Sequence, residues 1–276
     1  MNVYQVFRNM LAKDGAEGQK WNVLVRFFYA HIRFLKESSF SFRWVNNIRL
    51  KAIHHRAGTT ECYYYGLFDR MEQTFLLKYL KEDDLFVDVG ANIGSYSLLV
   101  ASRGVRAIAF EPENTTYSIL VENAKMNHFS DLIICNQKAV GKENGMVKFS
   151  VGNDTTNHIL DSKDKDTKAL SVEVVTLDSL NEDVTILKVD VEGFELDVLA
   201  GAKELLCNPK LNVVIIEALS HEDDIAKTLM QNGFGMYKYD YHTNSLKLAG
   251  NHDERGNNYL FIRDIHLARL RIQENM

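Results

Sequence analysis

Short apolar runs alternate with longer amphipathic segments from residue 85 to residue 262. The runs are rich in Val, Ile, Leu and Phe, as strands buried on both faces are, and the segments between them repeat apolar residues at helical spacing. The pattern predicts strands over 85–89, 107–110, 132–135, 185–189, 213–216 and 259–262, and helices over 68–80, 95–102, 115–126, 194–206 and 223–232. This alternation predicts an α/β fold with a doubly wound, mostly parallel sheet.

The segment before this region has a helical pattern of its own. Its apolar stripe consists of Trp21, Leu24, Val25, Phe28, Ile32 and Leu35, and the residues turned away from the stripe are Asn22, Arg26, Arg33 and Lys36. Residues at this spacing share one face of a helix. We expect the stripe to pack against the rest of the domain or against a second subunit in a homodimer, rather than against a membrane.

A β-hairpin is predicted to follow that helix. Apolar and polar residues alternate over 40–44 and again over 48–52, and Asn46 and Asn47 between them favour a turn. Residues 1–60 are therefore predicted to form an accessory helix and hairpin. Residues 61–276 are predicted to form the main domain.

Composition narrows the class of protein. The chain has 276 residues, 46% hydrophobic and 25% charged, which is ordinary for a globular enzyme. Its cysteines, Cys62, Cys135 and Cys207, form no CxxC pair, which argues against a disulfide scaffold or a cysteine zinc site. Residues 1–13 have no apolar core of the kind that signal peptides contain, and we expect a cytoplasmic protein.

Charge is distributed unevenly along the chain. Residues 1–60 hold ten Lys and Arg against three Asp and Glu, a net charge of +7, whereas the whole chain carries −5, so the remainder carries −12. A basic segment on an acidic body can favour an anionic surface, a lipid head group or an anionic partner; the alternative is an ordinary solvated surface. The acidic main body argues against a nucleic-acid substrate.

A glycine-rich turn follows the first predicted strand. Gly90 and Gly94 permit a sharp turn and close packing at the start of the next helix, where doubly wound sheets bind their ligands. A dinucleotide-binding loop requires glycine at position 92, but this chain has Asn92. The substitution favours S-adenosylmethionine over NAD as the cofactor.

Acidic residues complete this candidate cofactor site. Glu111 ends the second strand, 21 residues after Gly90, and Pro112 fixes the turn that follows it. An acidic side chain at this point can accept hydrogen bonds from both ribose hydroxyls of an adenosine; the alternative is a surface carboxylate that caps a helix. Asp88 lies inside the first strand, and we expect it to hold the glycine loop or the amino group of the cofactor.

Five motifs together resemble the FkbM family of class I methyltransferases, which have a Rossmann-like fold. They are Asp88–Gly94 (DVGANIG), Phe110–Pro112 (FEP), Ala139–Gly141 (AVG), Leu177–Asp178 (LD) and Lys188–Glu195 (KVDVEGFE). The resemblance covers about residues 60–220 and implies S-adenosylmethionine-dependent O-methylation of a sugar or another small-molecule hydroxyl. The cofactor-binding candidates are Asp88, Gly90, Ala91, Asn92, Gly94, Tyr96, Glu111, Pro112, Gln137, Lys138, Ala139 and Asp190; the resemblance places Gln137, Lys138 and Ala139 on the adenine side, and Asp190 at the methionine end.

The fourth strand carries the candidate catalytic residues. Lys188, Asp190 and Glu192 alternate along it and are expected to share one face. Asp190 or Glu192 can serve as the base that accepts the hydroxyl proton, and Lys188 can orient a carboxylate. The alternative is that Lys188 and Glu192 form a structural ion pair while Asp190 only binds the cofactor.

Two further residues are candidates for the substrate site. Glu217 ends the fifth strand, and His158 lies in the insertion between the third and fourth strands, which can form a lid over the acceptor. Glu217 together with Asp190 could recruit a divalent ion, since acidic oxygen ligands suit Mg²⁺, but no dense acidic cluster supports this minor hypothesis and no metal site is predicted. The competing functions are an NAD-dependent oxidoreductase and a methyltransferase-like module that binds a partner without turnover.

Overall fold

The computed structural model describes residues 3–54, 56–150, 169–218, 221–249 and 258–275. In chain order its helices and strands are α1 (Val3–Ala12), α2 (Lys20–Phe34), β1 (Ser39–Arg43), β2 (Arg49–Ile53), α3 (Ala57–Tyr65), α4 (Arg70–Tyr79), β3 (Leu85–Val89), α5 (Ser95–Ala101), β4 (Arg106–Phe110), α6 (Asn114–Met126), β5 (Ile133–Asn136), β6 (Ala139–Val140), β7 (Gly145–Ser150), β8 (Ala169–Val175), β9 (Ile186–Val189), α7 (Glu195–Ala200), α8 (Lys203–Cys207), β10 (Val213–Glu217), α9 (Glu222–Gln231), β11 (Gly235–Asp240), β12 (Ser245–Leu248), β13 (Asn258–Ile262) and α10 (Ile265–Glu274).

The central sheet has eight strands in the order β12-β11-β13-β10-β9-β3-β4-β5. Neighbouring strands from β5 through β4, β3 and β9 to β10 are parallel, and β13 runs antiparallel to both β10 and β11. The predicted doubly wound, mostly parallel sheet is therefore confirmed. The strand order reverses between β3 and β9, and ligands bind beyond the carboxyl ends of the strands at such a point.

Side chains alternate between the two faces of each central strand. In β3, Phe86 belongs to the core on one face, together with residues of α4, α5 and α10. Val87 and Val89 belong to the core on the opposite face, under α7 and α9. Asp88 shares the face of Phe86, so its carboxyl group points toward α5 rather than into the second core.

The N-terminal helix and hairpin are present as predicted, but the apolar stripe of α2 does not pack on the domain, which was one of the two partners expected for it. Val23 and Ala30 are the fully buried residues of α2. Five members of the stripe are at least half exposed: Trp21, Val25, Phe28, Ile32 and Leu35. The α2 helix is apolar on two opposite faces. The rest of the domain covers the face of Val23 and Ala30, so the stripe on the opposite face is left exposed. None of the described helices is long and apolar enough to cross a membrane.

The hairpin packs directly on the main core. Trp44, Ile48 and Leu50 belong to the same buried cluster as Phe75 and Phe86. The α3 helix begins four residues after β2, and the predicted boundary between residues 60 and 61 falls inside it. The hydrophobic pattern did not predict α3, because its apolar residues, mostly Tyr, have no helical stripe.

Several elements differ from the sequence-based prediction. One helix was predicted over 194–206, but two are present, α7 and α8, because the chain bends at Gly201; a Cβ there would lie 2.1 Å from the Gly141 carbonyl oxygen. The stretch between the third and fourth strands contains a separate three-stranded sheet in the order β6-β8-β7. Strands β11 and β12 and helix α10 were also not predicted.

Candidate active site at the carboxyl edge of the central sheet

The loop after β3 has a left-handed backbone at three positions. The φ angles are +77° at Gly90, +52° at Asn92 and +86° at Gly94. The amide nitrogens of Gly90 and Ala91 donate to the carbonyl oxygen of Phe110, at 3.0 and 2.9 Å. These bonds hold the loop against the end of β4, so the predicted glycine turn lies beside the predicted acidic residue Glu111.

Both glycines of the loop also lie where no side chain fits. A Cβ on Gly90 would lie 1.8 Å from the carbonyl oxygen of Asp190, and one on Gly94 would lie 2.3 Å from Cδ1 of Leu120. Real Cβ atoms do not approach other atoms this closely. Gly90 therefore sets the distance between the glycine loop and the end of β9, which brings the predicted cofactor loop next to the predicted catalytic strand.

Glu111 is buried, 8% exposed, and uses both carboxylate oxygens. Its Oε2 accepts from the Asn92 amide at 3.0 Å and its Oε1 from the Glu113 amide at 2.9 Å. Burial raises the pKa of Glu111 to about 7, against the lowering effect of those two bonds. A carboxylate has about four acceptor positions, so each oxygen can accept one more hydrogen bond.

Asp88 holds the first turn of α5 rather than the glycine loop. Its Oδ2 accepts from the amide of Ser97 at 3.2 Å and from the Ser97 hydroxyl at 2.7 Å. The other oxygen, Oδ1, has no hydrogen-bond donor among the described residues and lies 4.0 Å from Nζ of Lys188. Asp88 and Lys188 are direct neighbours across β3 and β9.

Lys188 is almost completely buried, with 3% of its side chain exposed. Its Nζ lies 2.9 Å from Oδ2 of Asp190 and 4.8 Å from the centre of the Tyr96 ring. Burial alone would lower the pKa of Lys188, but Asp190 and Asp88 together raise it above its usual value, so the lysine stays charged. Lys188 thus pairs with Asp190, which fits the expectation that it orients a carboxylate; the alternative expectation had paired it with Glu192.

Three carboxyl groups meet at the end of β9 and β10. Oxygens of Asp190, Glu192 and Glu217 lie within 4.8 Å of one another. The sequence placed Glu217 and Asp190 at the same edge of the sheet but showed no dense acidic cluster. The pairing of β10 with β9 brings Glu217 to Asp190, and Glu192 completes the group. Such a group can share protons or hold a cation.

Asp190 and Glu217 have pKa values shifted in opposite directions. Burial opposes ionisation of Asp190, but Lys188 and a hydrogen bond from Glu217 hold its pKa below the usual value. Burial raises the pKa of Glu217 to about 9, and so do the hydrogen bond to Asp190 and the negative charge of Asp190. Near neutral pH the pair therefore shares one proton and carries one negative charge, which the ammonium group of Lys188 favours on the Asp190 side.

Asp69 was not identified from the sequence, although it belongs to the same network. It precedes α4, and its Oδ2 accepts from the Tyr96 hydroxyl at 2.9 Å. Burial raises the pKa of Asp69 to about 6, partly offset by that bond and by Lys188. An acidic residue before a helix was the sequence signal, but it would have suggested only a helix cap. The Tyr96 hydroxyl, a predicted cofactor contact, is engaged by Asp69.

The remaining predicted residues lie around this centre. Ala91 is buried in the loop after β3, and Pro112 is buried in the turn after β4. Gln137 donates to the Asn114 side chain at 3.3 Å, and Ala139 is buried at the start of β6. Lys138 pairs with Glu173 of β8 at 2.8 Å. His158 lies outside the described residues.

Known proteins resemble this chain in sequence. Residues 88–255 match the family described as the methyltransferase FkbM domain. A hexuronic acid methyltransferase, AglP, of Haloferax volcanii is 28% identical over 161 residues, 56% of this chain and 65% of AglP. Methyltransferase 1 of Beauveria bassiana is 29% identical over 185 residues, 56% of this chain and 74% of that protein. The chain thus covers slightly less than two thirds of AglP.

A solved structure also resembles this chain. A crystal structure of a methyltransferase FkbM from Methylobacillus flagellatus has 16% sequence identity and a TM-score of 0.47; the match covers 94% of this chain and 57% of that one. The family match spans more than half of the chain and includes the glycine loop, Glu111 and the carboxyl cluster. The chain belongs to the FkbM methyltransferase family.

Proposed function

We propose that this protein is an S-adenosylmethionine-dependent O-methyltransferase that acts on a hydroxyl group of a sugar or glycan. Membership of the family supports methyl transfer, and the name of the Haloferax volcanii relative supports a sugar acceptor, in that case a hexuronic acid. The observation that carries the proposal is the contact of Gly90 with the Asp190 carbonyl, because it unites the cofactor loop and the carboxyl cluster in one site.

The residues present fit an adenosyl cofactor. Glu111 has both oxygens fixed by backbone amides, and each keeps an acceptor position for one of two ribose hydroxyls. Gly90 and Gly94 lack side chains where the loop packs against Asp190 and Leu120, so the loop can lie between the ends of β4 and β9. S-adenosylmethionine, when bound, supplies a methyl group on a positively charged sulfur.

The carboxyl cluster suits the methionine end and the acceptor. Asp190 is kept ionised by Lys188, so it can attract a positive charge and accept a proton. Glu217, which is protonated near neutral pH, donates to Asp190 and orients its carboxylate. In the proposed reaction Asp190 would accept the proton of the acceptor hydroxyl as the hydroxyl oxygen bonds to the methyl carbon, while the bond between that carbon and the sulfur of the cofactor would break and leave its electron pair on sulfur. General-base catalysis of this kind needs a base within hydrogen-bond reach of the hydroxyl.

Much of the acceleration would come from positioning. Methyl transfer to oxygen is an in-line displacement, and holding the two reactants aligned can supply a large part of the rate. Lys188 and Asp88 are direct neighbours on β9 and β3, so the strand ends that carry the site are fixed relative to each other. This rigidity is what a displacement reaction requires of its scaffold.

Cofactor binding can be tested by thermal unfolding with S-adenosylmethionine, S-adenosylhomocysteine or NAD. A ligand at 100 times its dissociation constant adds about 2.7 kcal/mol, which for a chain of this size is a shift of roughly 5–10 °C. We expect a shift with the two adenosyl sulfur compounds. In Glu111→Gln the side-chain NH₂ group would face a backbone amide that also donates, that of Asn92 or Glu113, so the variant should lose the shift in melting temperature. Glu143→Gln changes an exposed residue and should keep the shift. A shift with NAD alone would overturn the cofactor assignment.

Turnover can then be measured as transfer of a labelled methyl group to hexuronic acid glycosides, neutral sugars, amines and thiols. We expect a sugar hydroxyl to be methylated. Asp190→Asn should lower turnover by roughly 100-fold or more, the usual contribution of a general base. Glu217→Gln, which keeps a donor toward Asp190, should lose much less. Methylation of amines or thiols alone would contradict the proposal.

A further inference from the structure

The α2 helix presents apolar side chains on two opposite faces. One face is covered by the body: Val23 contacts the cluster around Tyr65, and Ala30 contacts the cluster around Phe40. The other face is open. Its large side chains and their exposed fractions are Trp21 (75%), Val25 (50%), Phe28 (54%), Tyr29 (51%), Ile32 (62%) and Leu35 (86%), and we call this set the α2 stripe.

The α2 stripe is continuous rather than scattered. At about 100° per residue its members fall within an arc of roughly 120° on the side opposite Val23 and Ala30. Single exposed apolar residues are ordinary on protein surfaces, but a contiguous patch of this kind marks an interaction surface. The other large exposed hydrophobic residues of the described chain include Leu248, Leu270 and Met230, which lie on β12, α10 and α9.

The charges beside the α2 stripe are positive. The helix holds Lys20, Arg26 and Arg33 and has no acidic residue between Lys20 and Phe34. Lys20 and Lys36, one at its start and one just after its end, are exposed. The first 60 residues carry +7 against −12 for the remainder, so positive charge is concentrated on the segment that bears the stripe.

The hairpin after α2 adds to this positive charge. Arg43 and Arg49 are exposed and directly opposite each other on β1 and β2. Like charges at such a position repel each other, so the pair is costly unless an anion lies near it. Other cations of the segment pair with carboxylates of the protein itself, and these are Lys13, Arg33, Lys51 and Arg56. Exposed cations that can face a negatively charged surface are Lys20, Lys36, Arg43 and Arg49.

We propose that the α2 stripe docks this protein on an anionic lipid membrane, with α2 lying in the plane of the interface. Trp and Tyr favour the membrane–water boundary, and helices that combine an aromatic-rich face with Lys and Arg bind there by apolar burial and by attraction to anionic lipids. A second copy of the chain is the less suitable occupant, because pairing two α2 stripes would bring together the exposed Lys20 and Lys36 that flank each of them. The docking does not depend on the proposed methyl transfer.

The chain contains a built-in probe of this contact. It has two tryptophans, Trp21 on the α2 stripe and Trp44, which is 7% exposed in the main core. Transfer of Trp21 from water into the lipid interface should shift the fluorescence emission to the blue, while Trp44 already lies in an apolar environment. Trp21→Phe should abolish the shift but keep binding, because the phenyl ring still enters the interface.

The experiment is co-sedimentation of the full chain with vesicles of phosphatidylcholine alone or mixed with phosphatidylglycerol. We expect binding to the mixed vesicles, weakened by salt. The combined variant Trp21→Ser/Phe28→Ser/Ile32→Ser should lower the partition coefficient at least tenfold, and Lys20→Gln/Lys36→Gln should lower it to a smaller extent. Leu248→Ser and Leu270→Ser, exposed elsewhere, are the matched controls and should not change it. Since all the altered residues are exposed, the variants should keep the melting temperature of the parent.

Several results would overturn the proposal. They are an absence of binding to either vesicle, equal binding to both, and binding that the serine variant retains. Sedimentation velocity without vesicles tests the alternative occupant. A dimer that the serine variant dissociates, in a protein that does not bind vesicles, would assign the α2 stripe to a second copy. None of these measurements uses the methyl-transfer reaction, so failure of docking and failure of the proposed function are distinguishable.

Discussion

Gly90 and the carbonyl group of Asp190 are packed so closely that position 90 has no room for a side chain. A Cβ at Gly90 would lie 1.8 Å from the carbonyl oxygen of Asp190. The contact joins the loop after β3 to the end of β9, the two neighbouring strands between which the strand order reverses. The position of the cofactor loop and that of the carboxyl cluster are therefore linked by one backbone contact.

Gly90→Ala should disturb this contact and weaken cofactor binding. The left-handed backbone alone costs a residue with a Cβ about 1–2 kcal/mol, and displacement of the Asp190 carbonyl adds to that cost. Gly104 has the same φ of +77° but no atom within 4 Å of a Cβ, so Gly104→Ala is the matched control. Urea unfolding and cofactor titration should show a larger loss for Gly90→Ala; equal losses would mean that the Asp190 contact is unimportant.

Lys188→Met should destabilise the fold strongly. The substitution leaves Asp88 and Asp190 without their cation, and breaking a buried pair from one side costs about 3–5 kcal/mol. Lys210→Met is the comparison, because Lys210 pairs with Asp183 in an exposed position, where a pair is worth about 0–1 kcal/mol. Chemical denaturation of both variants measures the difference. Similar losses of unfolding free energy in the two variants would show that burial does not determine how much Lys188 contributes to stability.

Stability should decrease as the pH rises from about 5 to about 9. Glu217 and Glu111 have folded-state pKa values raised to about 9 and about 7, from an ordinary value of 4.5. In this range the folded protein holds protons that the unfolded chain has lost, so the free energy of unfolding falls with pH, by at most about 1.4 kcal/mol per pH unit and group. Partial exposure of Glu217 reduces its share.

A variant that cannot titrate at position 217 tests whether Glu217 causes this pH dependence of stability. In Glu217→Gln the group no longer titrates, so unfolding free energies measured from about pH 7 to about pH 9 should vary less than in the parent protein. Glu143→Gln, on an exposed loop, should leave the slope unchanged. An unaltered slope in Glu217→Gln would contradict a raised pKa for that carboxyl group.

Tyr96→Phe should lower the free energy of unfolding by about 1.5–3 kcal/mol, the range for hydrogen bonds to charged groups. It removes the donor to Asp69 but keeps the ring beside Lys188. Tyr117→Phe is the control, since the Tyr117 hydroxyl donates to the neutral carbonyl of Cys135 and should contribute less. The two variants are compared by urea unfolding. An equal loss in both variants would show that the hydrogen bond to Asp69 stabilises the fold no more than one to a neutral carbonyl does.

Features that depend on local backbone geometry could be predicted from the sequence. Gly90 and Gly94 signalled a left-handed turn, and Glu111 after the second strand signalled an acceptor at its end; the structure places the Glu111 carboxylate on the Asn92 amide of that turn. The alternation of apolar runs and helical segments likewise predicted the parallel sheet. The strand β8 has a readable alternation in residues 171–174, but both of its partners, β6 and β7, precede it in the chain and lie in a sheet separate from the central one.

Only the tertiary structure decided which polar groups meet. Asp69, Tyr96 and Lys188 come from three distant parts of the chain and meet only in the folded protein. Glu217 and Asp190 were expected at the same edge of the sheet, but their direct contact depends on the pairing of β10 with β9. Nothing in the local sequence encodes such contacts, since side-chain proximity across elements follows from strand order and helix packing. The orientation of α2 shows the same limit: its sequence determined an apolar stripe at helical spacing. Which of its two apolar faces would be buried depended on the shape of the surface it packs against.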